Sequence, residues 1–218
     1  MRTTRSIVLA LAVLLASALP VTADVRTGDR NFERAWRVYV TRNTERAMEY
    51  FKASAAGYED ALKMDPMERT MNFESTQIKA SIAFYFAGQF EACVKTAKTA
   101  LGDKNKIWDA ALFMALAQGR MGDQDAMKDS FKLFLDANPS QRYITTELSK
   151  DLPALTGGTM SLADFLDAMD SQVQRQFVNN VMRYNNRAGM IPATESCDGQ
   201  FWWRKNSSPC MRGVYPGF

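Results

Sequence analysis

The chain has 218 residues, a formal charge of +3, 46% hydrophobic and 23% charged side chains, three cysteines and no histidine. The missing histidine excludes Ser-His-Asp and Cys-His catalytic arrangements and histidine-based zinc sites, and it removes the commonest general base. The near-neutral balance gives no electrostatic reason to expect nucleic acid or an anionic membrane as partner.

Residues 1–23 have the outline of a secretory leader. Arg2 and Arg5 precede an apolar run from Ile7 to Leu19, and Val21-Thr22-Ala23 supplies small residues where a signal peptidase cuts. The run falls short of the roughly 20 residues needed to span a bilayer. The residue directly after Ala23 is Asp24 and not cysteine, so a lipid anchor is not indicated. Removal of the leader brings the formal charge from +3 to +1, because Arg2 and Arg5 go and no acid goes with them. The expected location is across the inner membrane, in the periplasm.

The next segment, 24–142, carries an internal repeat. Glu74 to Leu101 aligns with Trp108 to Leu135 at an offset of 34, which pairs Gly88 with Gly122, Ile78 with Leu112, Ile82 with Leu116 and Leu101 with Leu135. A constant offset of this size marks one supersecondary unit used again. Each unit reads as two helices split at the glycine: Ile78, Ile82, Ala83 and Phe86 recur at helical spacing, Gly88-Gln89 interrupts, and Phe90, Val94, Ala97 and Leu101 resume. In the second unit Leu112, Leu116 and Met121 precede Gly122-Asp123, and Met127, Phe131, Phe134 and Leu135 follow, up to Asn138-Pro139.

This pattern resembles the tetratricopeptide (TPR) repeat family. The matching positions are Ala80, Ser81, Phe84, Gly88, Phe90, Ala97, Ala100 and Leu101, then Ala115, Gly122, Phe131, Leu135 and Pro139, with a looser upstream match through Tyr58, Ala61, Leu62 and Pro66. The likeness spans residues 35–139. Cys93 and Met127 stand where the family prefers alanine, Gln118 and Gln124 replace aromatics, and the upstream unit lacks its glycine. The resemblance implies an all-α stack of helix-turn-helix repeats with a concave groove lined by the first helix of each pair. Those positions are Ser75, Ile78, Ile82 and Tyr85 in one unit and Asp109, Leu112, Leu116 and Gly119 in the next. Such a lining suits an amphipathic or extended peptide; a plain helical bundle is the alternative architecture.

The covering part, 143–218, offers an internal occupant for that groove. Pro153 and Gly157-Gly158 mark a connection, and Ser161-Leu162-Ala163-Asp164 outlines a capping box. Behind it Leu162, Phe165, Leu166, Met169, Val173, Phe177 and Val181 follow one helical face until Asn185-Asn186-Arg187-Ala188-Gly189. A helix of this extent, about 38 Å at 1.5 Å per residue, reaches across two or three repeats.

The end of the chain, CDGQFWWRKNSSPC, sets Phe201, Trp202, Trp203, Arg204 and Lys205 between Cys197 and Cys210. In an oxidising compartment these two cysteines are expected to form a disulfide, worth about 3 kcal/mol by loop-closure entropy. Cys93 is expected to be buried and unpaired. Trp202, Trp203 and Arg204 suit sugar stacking or a protein hot spot, or else the aromatics seal the helical stack with Tyr215 and Phe218.

Catalytic and metal constellations are sparse. The sequence has no Gly-rich phosphate loop, Cys-x-x-Cys pair or calcium-loop pattern. Asp123, Asp125 and Asp129 read as helix-start acids. Glu195 and Asp198 beside the aromatic loop are the least poor carboxylate pair for glycan hydrolysis, and Met64, Met67 and Met71 have a spacing compatible with Cu(I) or with a core. The expected function is an exported, non-catalytic protein-protein interaction or scaffold module of the cell envelope, with no cofactor and no metal. The alternative is a carbohydrate-handling envelope enzyme or accessory subunit that uses Trp202 and Trp203.

Overall fold

The computed structural model describes residues 24–103, 107–137 and 141–185. Among them the regular elements are all helical: α1 (Val25–Val40), α2 (Thr44–Lys63), α3 (Glu74–Phe86), α4 (Phe90–Leu101), α5 (Trp108–Arg120), α6 (Gln124–Asp136), α7 (Arg142–Thr156) and α8 (Leu162–Asn185), with a 3-10 turn at Arg69–Asn72. No described helix is long and apolar enough to cross a membrane. The leader 1–23 and the loop with Cys197, Cys210, Trp202, Trp203 and Arg204 lie outside the described residues.

The repeat seen in the sequence recurs hydrogen bond by hydrogen bond. Gly88 N donates to Tyr85 O at 3.0 Å and Gln89 N to Phe84 O at 2.9 Å; 34 residues on, Gly122 N donates to Gly119 O at 2.9 Å and Asp123 N to Gln118 O at 3.0 Å. This pair of bonds ties off the last carbonyls of a helix and needs one left-handed residue. Gly88 (φ 77°) and Gly122 (φ 84°) supply it.

Two further hairpins close the same way. Arg42 N donates to Tyr39 O (3.0 Å) and Asn43 N to Val38 O (3.2 Å) between α1 and α2, and Gly158 N donates to Leu155 O (3.1 Å) and Thr159 N to Ala154 O (2.9 Å) between α7 and α8. The upstream unit that lacks its glycine therefore still makes the turn, with Arg42 held at φ 65°. Its helix α1 starts at Val25, earlier than the repeat pattern suggested, because Asp24 Oδ1 accepts the Thr27 amide at 2.8 Å and caps it. Pro153 lies inside α7 instead of ending it, and the connection to α8 is confined to Gly157–Ser161.

The hairpins stack in chain order, α2 against α3 and α4 against α5. The first helices α1, α3 and α5 also touch in sequence, so they form an inner layer with α2, α4 and α6 outside. Close approach sets the first pair: a Cβ on Gly57 would sit 2.7 Å from the Gly28 nitrogen, and Ser54 Oγ donates to Gly28 O at 2.8 Å. Asp29 then links three helices, accepting from Tyr58 of α2 at 2.7 Å and from Lys79 of α3. Gln118, which departs from the aromatic expected there, meets Ser130 Oγ at 2.6 Å within its own hairpin.

The turn positions make opposite predictions. A Cβ on Gly88 meets nothing within 4 Å, so the cost of Gly88→Ala is the left-handed backbone that alanine must adopt at φ 77°, about 1 kcal/mol. Arg42→Gly at the equivalent exposed turn relieves a left-handed residue and should stabilise by roughly 0.5–1 kcal/mol. Thermal melts should move about 2–4 °C down and up respectively for a chain of this size.

Candidate binding groove and its helical occupant

α8 lies back along the inner layer, packed on α7 and reaching α1 and α5. Its start is the expected capping box in variant form: Asp164 N donates to Ser161 Oγ at 3.1 Å, and the Ser161 hydroxyl donates to Asp164 Oδ2 at 2.6 Å. One face is buried from Phe165 to Phe177, with Phe165 and Met169 at 0%, Val173 at 1%, Leu166 at 2% and Phe177 at 0% exposure.

Three of the buried residues have seats on the repeat helices. The Phe165 ring meets Phe131 of α6 edge to face at 5.9 Å. Leu166 lies over Gly119, where an added Cβ would be 2.7 Å from Leu166 Cδ2 and 2.7 Å from Met127 Sδ. Phe177 enters an aromatic pocket 4.8 Å from Trp36, 6.1 Å from Phe113 and 6.3 Å from Tyr39. Gln176 Oε1 accepts the Tyr143 amide at 2.8 Å, and Gln174 Nε2 donates to Tyr39 O at 3.4 Å.

Between the apolar seats is a polar cluster. Tyr85 Oη donates to Asp170 Oδ1 at 2.7 Å, and Arg120 Nη2 bridges Asp170 Oδ2 at 2.7 Å and Asp167 Oδ1 at 2.8 Å. Burial raises the Asp170 carboxyl above the ordinary aspartate range, against the opposing pull of Tyr85 and Arg120. Burial and the Asp170 charge together push the Tyr39 and Tyr85 phenols far up, so both remain protonated.

The groove positions named from sequence are brought together but not left open. Ile78, Ile82, Asp109, Leu112 and Leu116 are 0% exposed, Tyr85 is 5% exposed, Gly119 is buried, and Ser75 at the start of α3 is half-buried. Sequence reasoning missed Trp36, Tyr39, Phe113, Arg120 and Asp170. The signal for the last was present as acids at positions 167 and 170, three apart beside the apolar face of α8.

Cys93 is buried; its thiol donates to Phe113 O at 3.5 Å, and burial raises its pKa well above the ordinary thiol range. Asp123 caps α6 through the Ala126 amide at 3.1 Å, and Asp125 pairs with Lys128 at 3.1 Å. Met71 is 0% exposed while Met64 and Met67 are 46% and 39% exposed on the α2–α3 connection. Cys197, Cys210, Glu195, Asp198, Trp202, Trp203 and Arg204 lie outside the described residues, as does the expected disulfide. Comparison with known protein families, with characterised proteins and with solved structures finds no match.

Two substitutions separate the apolar from the polar hold on α8. Phe177→Ala empties a fully buried aromatic seat and should cost about 3–5 kcal/mol. Tyr85→Phe removes one donor to Asp170 and should cost about 1–2 kcal/mol. In both, hydrogen exchange should quicken in α8 before it does in α3 and α4.

Proposed function

We propose that this chain is an exported, non-catalytic interaction module of the cell envelope, built from TPR-like repeats, whose concave groove recognises an amphipathic helix. The observation that carries the reading is α8 itself. It packs on α1 and α5 and reaches α3 through Tyr85, by one apolar face and one acidic pair, so the inner layer has the shape and chemistry to hold a helix. In the described state the resident is internal, and a partner helix exchanges with it. The residues that discriminate are the Trp36–Tyr39–Phe113 pocket, the flat seat at Gly119 and the Arg120–Tyr85 pair that receives carboxylates. The leader with Arg2, Arg5 and the Ile7–Leu19 run supports the envelope location.

A labelled peptide copying residues 161–185, added to the full chain, tests the exchange. The native chain should bind it weakly, and Phe177→Ala, whose own α8 is poorly seated, should bind it at least about ten-fold more tightly. Arg120→Glu should abolish that gain. If the peptide binds neither chain while both remain folded, α8 is a fixed part of the core and the groove reading is wrong.

A further inference from the structure

α1 has two faces of opposite character. Val25, Gly28, Phe32, Ala35, Trp36 and Tyr39 are buried, and the exposed positions of the helix are Arg26, Arg30, Arg34 and Arg37. At 100° per residue these four fall within about 80° of the circumference, along about 16 Å of axis, opposite the core. None of them makes a hydrogen bond or ion pair with a described residue. Between residues 24 and 46 every basic residue is arginine, whereas from residue 51 to 132 lysine predominates. The stripe therefore presents planar forks that grip carboxylates or phosphates in pairs, not simply positive charge.

We infer that this stripe is a docking surface for an acidic helix of a protein partner, one with carboxylates at i, i+4, i+8 and i+11. The inference rests on the reading of the chain as an interaction module and names a second partner surface on it. Two helices lying side by side share the same rise, so such carboxylates stay in register with Arg26, Arg30, Arg34 and Arg37 along the whole crest.

The flanks argue for a linear ligand. Asp24, Asp29 and Glu33 lie within a few residues of the stripe, and Glu33 borders it directly on the helical wheel. A broad anionic sheet such as a membrane would meet the Glu33 carboxylate, while a single acidic row lies along the crest on the side away from Glu33 and Asp29. The crest also lacks an exposed aromatic or aliphatic side chain to enter a bilayer. The small formal charge of the chain, +3 with the leader, supplies no wider field for nucleic acid.

The test uses the full chain and a fluorescent Ala/Gln-based helical peptide carrying glutamate at those four positions, read by anisotropy at low salt. The glutamate peptide should bind at least about ten-fold more tightly than its glutamine counterpart. Arg30→Glu/Arg34→Glu should lose about ten-fold or more with an unchanged far-UV spectrum and melting temperature. Replacing all four arginines by lysine should keep only part of the affinity. Equal binding of the glutamate and glutamine peptides, or equal binding by the native and doubly reversed chains, overturns the proposal. So does stripe-dependent binding of phosphatidylglycerol vesicles or a single-stranded oligonucleotide that exceeds binding of the peptide. The α8-peptide exchange is independent of these residues, so a silent stripe beside an exchanging α8 would sink this inference alone.

Discussion

The constraint behind the whole arrangement is that α5 has no side fit for water. From Trp108 to Gly119 every residue is buried, including Asp109 and Gln118. A helix apolar all round is stable only when neighbours enclose it. α4 and α6 cover two sides and α3 a third, and the remaining side is closed by α8. α3 is in nearly the same position, buried from Thr76 to Tyr85 except at Lys79, which is half-buried. The inner layer of the stack is thus the core of the molecule, and α8 completes that core while it fills the groove.

The polar cluster on α8 does a different job from the apolar face. A carboxyl whose folded pKa lies above its unfolded value holds its proton more tightly in the fold, so stability falls as pH rises through that interval. Asp170 is in this class, and its charged form is no net source of stability. It constrains position instead. A slide of one helical turn, about 5.4 Å, would carry Asp170 into the seats of Leu166 or Val173 and strand a charge among apolar side chains. Tyr85 and Arg120 therefore fix the register in which Phe177 finds its pocket.

Much of this was legible in the sequence where the cause was local. The 34-residue offset, the glycine turns at 88 and 122, the capping box at Ser161 and the apolar face of α8 all depend on residues close together, and each has its counterpart in the fold. The first hairpin was harder to read because its turn uses Arg42, which no propensity argument selects for a left-handed position. The seats of α8 were invisible for another reason. Trp36 and Phe113 come from different helices to meet Phe177, and Phe131 from a third to meet Phe165, so these seats are a product of stacking. The arginine stripe was hidden by averaging, since a net charge summed over the chain cancels these arginines against acids both beside the stripe and on other faces.

α1 connects the two surfaces. Its buried side supplies Trp36 and Tyr39 to the aromatic seat of α8, and its exposed side carries the arginines. Tight packing on α2 at Gly28 and Gly57 and the Asp29 links to Tyr58 and Lys79 hold the helix rigidly between them. A ligand on the stripe shifts the α8 equilibrium only by its difference in affinity for the seated and released states. Because the arginines point away from the seat and α1 has little freedom to move, that difference is small. The two proposed contacts, which share α1, are therefore largely independent. Two such contacts, joined by a rigid spacer of fixed length, gain by multivalency when one assembly presents both complementary surfaces at the right separation.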